Sequence, residues 1–163
     1  MEITQILKEV NEHYGKEIFV LDDQESCRAL VGNGLVVEVL HLPEVGRLLL
    51  YADIGREPQE GRDRVYRLML QAQHLFQGTA GASFGLDGNT GSVYLERPVS
   101  LATLTAESFV TDFEVFAQVA LKWREALEGA VSLVGEIESL ERRAGDADRR
   151  SGDGFDAKGF IVA

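Results

Sequence analysis

Apolar residues along this chain recur at two different spacings, and the switches between them divide it into elements. Ile3, Ile6, Leu7, Val10 and Tyr14 fall three and four apart, the period of one helix face, and Gly15 stops the run. From Ile18 the apolar residues come instead in short runs separated by turn residues. Strands are predicted at Ile18 to Leu21, Cys27 to Val31 and Leu35 to Leu40. The polar turn Asp22 to Ser26 joins the first pair. Gly32-Asn33-Gly34 joins the second, and Asn-Gly is the strongest short hairpin signal. Past Leu42-Pro43-Glu44, Arg47 to Ile54 reads as a further strand, or as the preceding strand bent at Pro43. Proline has no N–H to give a ladder.

Gly55 to Gly61 is a loop, and Arg62 to Gln77 returns to helical spacing. Val65, Leu68, Met69, Ala72 and Phe76 form one stripe, with Tyr66 and Leu70 partly outside it. A helix apolar over more than one face is expected to be buried on two sides. It breaks at Gly78. A short strand, Ala82 to Leu86, is then reversed by Asp87-Gly88-Asn89-Thr90-Gly91 into a second, Ser92 to Glu96. Glycine and asparagine tolerate the positive φ angles of a tight reversal.

Thr105 is placed to cap the last helix, with Glu107 in its first turn. Its seam is Phe109, Phe113, Phe116, Ala120, Trp123, Leu127, Ala130, Val134 and Ile137. Steps of four and three alternate almost throughout, the 3.5-residue repeat of helices packed side by side. The helix is predicted to run from Ala106 to about Leu140, with Gly129 and Gly135 weakening its last turns. Residues 1–143 therefore read as one α+β domain, in the order α-β-β-β(-β)-α-β-β-α: a curved antiparallel β-sheet packed with three α-helices. Residues 144–163 are polar and glycine-rich and are expected to be a disordered tail, dispensable for folding, tipped by Phe160-Ile161-Val162.

With 45% hydrophobic and 26% charged residues in 163, the chain has the make-up of a soluble globular domain with a real core. No apolar run approaches the ~20 residues of a membrane helix. The first fifteen residues lack the basic-then-apolar order of a secretory signal. The single cysteine, Cys27, fits a reducing compartment, and a cytoplasmic location is expected. Residues 1–140 hold 22 acids and 11 Lys/Arg, a net of −11, while residues 141–163 hold five of each. Such acidity repels phosphate backbones and argues against nucleic acid as a partner. Arg62, Arg64 and Arg67 sit beside Glu57, Glu60 and Asp63 and read as a solvated mixed face.

Candidate chemistry is sparse. The glycines at 78, 81 and 85 lack phosphate-loop spacing and lead into a strand, where a phosphate site needs a helix N-terminus. Asp87-Gly88-Asn89 imitates the start of a calcium loop, but Ser92 and Pro98 stand where glycine and a bidentate glutamate belong. His13, His41 and His74 lie far apart, without metal-type spacing, and read as surface or helix-end residues. Cys27 alternates with Ala29 and Val31 on one strand face and reads as a buried, inert thiol. Asp22 and Asp23 read as solvated turn residues. No catalytic set, metal site or cofactor site is expected, and the chain is not expected to be an enzyme.

Three blocks together resemble the class I type III secretion chaperones, the Tir-chaperone family. The first is Leu75-Phe76 followed by Thr79, Gly81-Ala82, Phe84-Gly85-Leu86-Asp87, Thr90-Gly91, Val93 and Leu95. The second is Leu42-Pro43-Glu44 with Leu48-Leu49-Leu50-Tyr51-Ala52 and Ile54-Gly55, and the third is the aromatic helix Phe109 to Leu127. In order and spacing the resemblance covers roughly residues 1 to 140. It implies a small acidic homodimer that binds the N-terminal, non-globular segment of a secreted effector and keeps it export-competent without ATP. The rival reading is a cytoplasmic regulatory or scaffold domain of the same fold whose protein partner has nothing to do with export.

The resemblance and the two-sided second helix place the dimer interface at Tyr66, Met69, Leu70, Gln73 and Phe76. Cargo contacts are expected at Ile3, Leu7 and Val10 of the first helix and at Val37, Val39 and Leu49 of the strands. There, strand edges would supply backbone hydrogen bonds and pockets would take alternate side chains. The apolar tip of the tail would occupy the cargo groove when it is empty, dock on an export component, or have no role.

Overall fold

The computed structural model describes residues 2–147, with side chains through Gly129. Its elements are α1 (Ile3–Tyr14), β1 (Ser26–Val31), β2 (Leu35–Leu42), β3 (Arg47–Arg56), α2 (Arg62–Gln73), β4 (Ser83–Leu86), β5 (Ser92–Ser100) and α3 (Ala106–Ala147). One five-stranded antiparallel sheet runs in the order β1-β2-β3-β5-β4. β3 and β4 both run antiparallel to β5, so α2 connects two strands that point the same way with a third between them.

The expected fold class is what the chain adopts: an antiparallel sheet with three helices. β3 is a separate strand, set off from β2 by a single helical turn at Pro43–Val45 with Gly46 left-handed behind it. β5 extends to Ser100, four residues past the expected end. Ile18 to Leu21 is not a strand of the sheet. α2 stops at Gln73, and a further irregular turn, His74–Phe76, follows it.

Period-two alternation sorts the sheet. Leu35, Val37 and Val39 of β2, and Leu48, Leu50, Ala52 and Ile54 of β3, are buried on the face that meets α1 and α3. Phe109, Phe113, Phe116, Ala120 and Leu127 form the buried seam of α3, and Trp123 is half-buried along it. Ala130, Val134 and Ile137 of the expected seam, and residues 148–163, which hold most of the expected tail, lie outside the described side chains and residues. Thr105 caps α3: the Ser108 amide donates to Thr105 Oγ1 at 3.1 Å, and the Thr105 amide donates back to Ser108 Oγ at 3.0 Å. At Gly55 (φ 131°) a bulge interrupts the β3–β5 register, and a Cβ there would lie 3.2 Å from Leu127. Glycine allows α3 to close on the sheet.

One carboxylate in each of the two turns is used by the turn itself. Asp22 Oδ1 accepts the amides of Gln24 and Ser26, both at 2.9 Å. Asp87 Oδ1 accepts the Asn89 amide, and its Oδ2 accepts the Thr90 hydroxyl. These bonds, led by the Ser26 and Asn89 amides, hold both carboxyls below the usual carboxylate range. Asp22 is thus a structural acceptor as well as a solvated acid, and the calcium-like loop spends its carboxylate on its own backbone.

Candidate functional site

Two surfaces stand out, one beside α1 and one at the end of α2. Gly15 (φ 65°) closes α1 with a Schellman motif: its amide reaches Glu12 O, and the Lys16 amide reaches Asn11 O. The chain then doubles back along α1 as an extended segment, residues 16–21. Asn11 holds it there. Its Oδ1 accepts the amides of Ile18 (2.9 Å) and Phe19 (2.8 Å), and its Nδ2 donates to Phe19 O (3.0 Å). One side chain replaces the neighbouring strand that the segment lacks.

Between α1 and this segment lies an open groove of about 570 Å³. Leu7 and Phe19 form its floor, Lys8, Glu12 and Lys16 its rim, and Val20 projects from it 61% exposed. The amides of Val20 and Leu21 find no partner among the described residues; in extended backbone they point to opposite sides, Leu21's to the side where Phe19 meets Asn11, so the free backbone edge is that of Val20.

The six residues expected to meet cargo are not brought together. Val10, Val37 and Val39 are fully enclosed in the core, and Leu7 shows only its edge to the groove. They are core rather than contact surface, because α1 turns its apolar stripe onto the sheet and α3. Ile3 remains half-buried. Leu49 is also half-buried but lies on the opposite face of the sheet, paired with Leu40, because its parity differs from that of Leu48 and Leu50. The sequence reading missed Val20, Asn11 and Phe19, and only the alternation of Ile18 to Leu21 hinted at them.

At the second surface, Met69 is buried in the core and Tyr66 is half-buried, its hydroxyl donating to Glu57. Gln73 Oε1 accepts the Phe84 amide at 2.7 Å, tying α2 to β4. Leu70 and Phe76 point outward, 69% and 50% exposed, and Leu75, part of the first resemblance block but not of the expected interface, is 73% exposed. Leu75 and Phe76 both take left-handed backbone (φ 54° and 57°), a costly conformation for side chains of that size. The return of the chain forces it. The Gly78 amide bonds Ala72 O at 2.8 Å, and Trp123 Nε1 donates to Gly78 O at 2.8 Å. The strain leaves two large apolar side chains in solvent.

Catalytic groupings do not appear at either surface. Among the described residues, no three His, Cys, Asp or Glu lie close enough to hold a metal ion. Cys27 is buried, and desolvation, with the Asp22 charge behind it, pushes its thiol up to about 11, far from a reactive thiolate. His13 and His74 are exposed. His41, read from sequence as a surface residue, is largely buried on β2, with its Nδ1 2.6 Å from Glu25 Oε2. No helix among the described residues is long and apolar enough to cross a membrane.

The sequence pattern of the Tir chaperone protein (CesT) family matches residues 5–124. Among solved structures, the chain is similar to a protein of the ExsC-ExsE complex, with 28% identity and a TM-score of 0.64 over 78% of this chain and 97% of that one. A chain of the HopA1-SchA chaperone-effector complex aligns at 19% identity and a TM-score of 0.62, over 75% of this chain and 92% of that one. One from the heterodimeric ExoU-SpcU complex of the type III secretion system of Pseudomonas aeruginosa aligns at 16% and 0.60, over 78% and 98%. The latter two show likeness of fold alone. No curated protein matches the chain at a significant level.

Proposed function

The chain belongs to the Tir chaperone protein (CesT) family, and on that premise we propose that it is a cytoplasmic type III secretion chaperone. It binds the N-terminal, non-globular segment of a secreted effector and keeps it export-competent without ATP and without a catalytic step. The groove beside α1 carries this reading: an apolar floor, an exposed Val20 and a free backbone edge suit an extended segment that adds as a strand. Of the six expected cargo contacts half-buried Ile3 is kept, exposed Val20 is added, and Leu7, 2% exposed, backs the groove from the core.

The test is to purify the tagged chain from its own host and identify the retained protein by mass spectrometry. A secreted protein bound through its N-terminal region is expected, with affinity unchanged by ATP. Val20→Asp, which places a charge at the groove mouth, is expected to weaken that binding at least tenfold. A requirement for ATP, or a retained partner unrelated to export, would overturn the reading and favour a regulatory or scaffold role.

The same reading includes a homodimer formed through the end of α2. Exposed Leu70, Leu75 and Phe76 are the kind of aliphatic and aromatic anchors on which interfaces concentrate their energy. Met69 supports that surface from the core. Light scattering is expected to give about twice the 17.9 kDa chain mass. Leu70→Asp is expected to give a folded monomer, since the side chain is exposed on the single chain, with thermal stability lowered only by the loss of the dimer. A monomeric unsubstituted chain at micromolar concentration would remove the dimer from the proposal.

A further inference from the structure

We propose that the face of the sheet turned away from α1 and α3 is a second docking surface, for a polypeptide segment that carries arginine or lysine between apolar residues. This surface is separate from the groove beside α1 and does not depend on it. Antiparallel register builds the face as parallel rows. Leu40, Leu49 and Pro98 are direct cross-strand partners and form one apolar row. Leu30 and Val36 are paired across β1 and β2 and form another, with Leu30 75% exposed.

Between these two rows runs Glu38–Tyr51–Glu96, again in direct register across β2, β3 and β5. At ~4.8 Å between strands, the two glutamates flank the tyrosine from either side, roughly 10 Å apart at the backbone. The Tyr51 ring stacks on Tyr94, with centroids 4.7 Å apart and planes 12° from parallel. Burial, the Tyr94 hydroxyl and the Glu96 and Glu38 charges all favour the protonated phenol of Tyr51. The row therefore offers an uncharged aromatic face between two carboxylates.

That arrangement suits one kind of side chain. A guanidinium or ammonium group over the ring gains a cation–π contact and lies within reach of both carboxylates. Arg28, across from Glu38 and joined to it at 2.8 Å, is itself mostly in solvent and can yield that carboxylate to a better-placed cation. The apolar rows on either side would take the flanking side chains. A second copy of the chain is a poor occupant, because its −11 charge would set carboxylates against carboxylates. Nucleic acid and anionic lipid are repelled for the same reason.

The test uses the full chain labelled with ¹⁵N and a synthetic twelve-residue peptide of leucine and valine with two central arginines. The control peptide has glutamate in both arginine positions. The arginine peptide is expected to shift the amides of Glu38, Tyr51 and Glu96 while leaving residues 16–21 unmoved, and the control to shift none of these. The Glu38→Gln, Glu96→Gln double variant, nearly isosteric and on the surface, is expected to bind at least tenfold more weakly. Tyr51→Phe keeps the ring and is expected to bind within about twofold of the unsubstituted chain. Shifts confined to the α1 groove, equal binding of the two peptides, or full binding by the double variant would each overturn the proposal. So would concentration-dependent shifts of this face without peptide, which would assign it to self-association.

Discussion

Replacing Phe109 by alanine is expected to cost about 3–5 kcal/mol of folding stability, the range for removing a buried aromatic side chain. Phe109 has no exposed surface and stands where three elements meet. Its ring lies 5.2 Å from that of Phe19 at 87° and 6.0 Å from that of Phe113 at 20°, while Phe19 and Phe113 meet at 5.0 Å and 85°. Edge-to-face pairs of this kind contribute ~0.5–1.5 kcal/mol beyond area burial. Domains of this size are held by only about 5–15 kcal/mol, so the variant should sit near the edge of folding. Urea denaturation measures it, with Val115→Ala as the control because Val115 lies on the outer face of the same helix. The control should move stability by no more than about 0.5 kcal/mol. A Phe109→Ala loss below 1.5 kcal/mol would mean that the three rings do not form the junction between α1, residues 16–21 and α3. A Phe19/Phe109 double-mutant cycle should return a coupling of about 0.5–1.5 kcal/mol.

Asn11→Ala is the second large effect. It removes three hydrogen bonds at once, leaving the Phe19 amide without an acceptor and the Ile18 amide with Lys16 O alone at 3.1 Å. At about 0.5–1.5 kcal/mol net for each bond, the loss should be on the order of 2–4 kcal/mol. The consequence reaches function, because the segment that Asn11 holds is one wall of the proposed cargo groove. Asn11→Ala should therefore weaken cargo binding more than its stability loss alone explains. Asn11→Asp keeps the acceptor, loses the donor and sets a carboxylate against Phe19 O, so an intermediate loss is expected. If Asn11→Ala melts within 2 °C of the unsubstituted chain and keeps full cargo affinity, the segment is held by packing alone.

Both experiments probe a junction that no single stretch of sequence describes. Phe19 follows Gly15 and looked like part of an ordinary strand, yet no strand pairs with it; a carboxamide eight residues upstream does. Its ring is fixed by Phe109 and Phe113, ninety and more residues downstream. A contact between distant segments leaves no periodic trace, and so the groove was not legible.

What the sequence determined on its own is local. The helical stripe of α1, the Asn-Gly reversal, the hairpin around Asp87 to Gly91, the Thr105 cap and the aromatic seam of α3 each follow from residues within one or two turns of one another. Backbone geometry and capping act at that range. The parity of β1 was readable too, from the alternation of Cys27, Ala29 and Val31 on one face. Together with the three ordered blocks, that was enough for the fold class and the family.

Tertiary structure decided which apolar residues are core and which are surface. Val10, Val37 and Val39 looked as available as Leu70, because hydrophobicity says that a side chain seeks cover and not what covers it. α3 lies over the face that carries Val37 and Val39, and nothing in the described chain lies over Leu70. The insertion of β5 between β3 and β4, and with it the row Glu38–Tyr51–Glu96, depends on pairing between strands whose partners, from Arg56 with Ser92 to Arg47 with Ser100, are far apart in the chain. Only the assembled sheet sets that register, because each ladder bond is gained after the loop between its strands has closed.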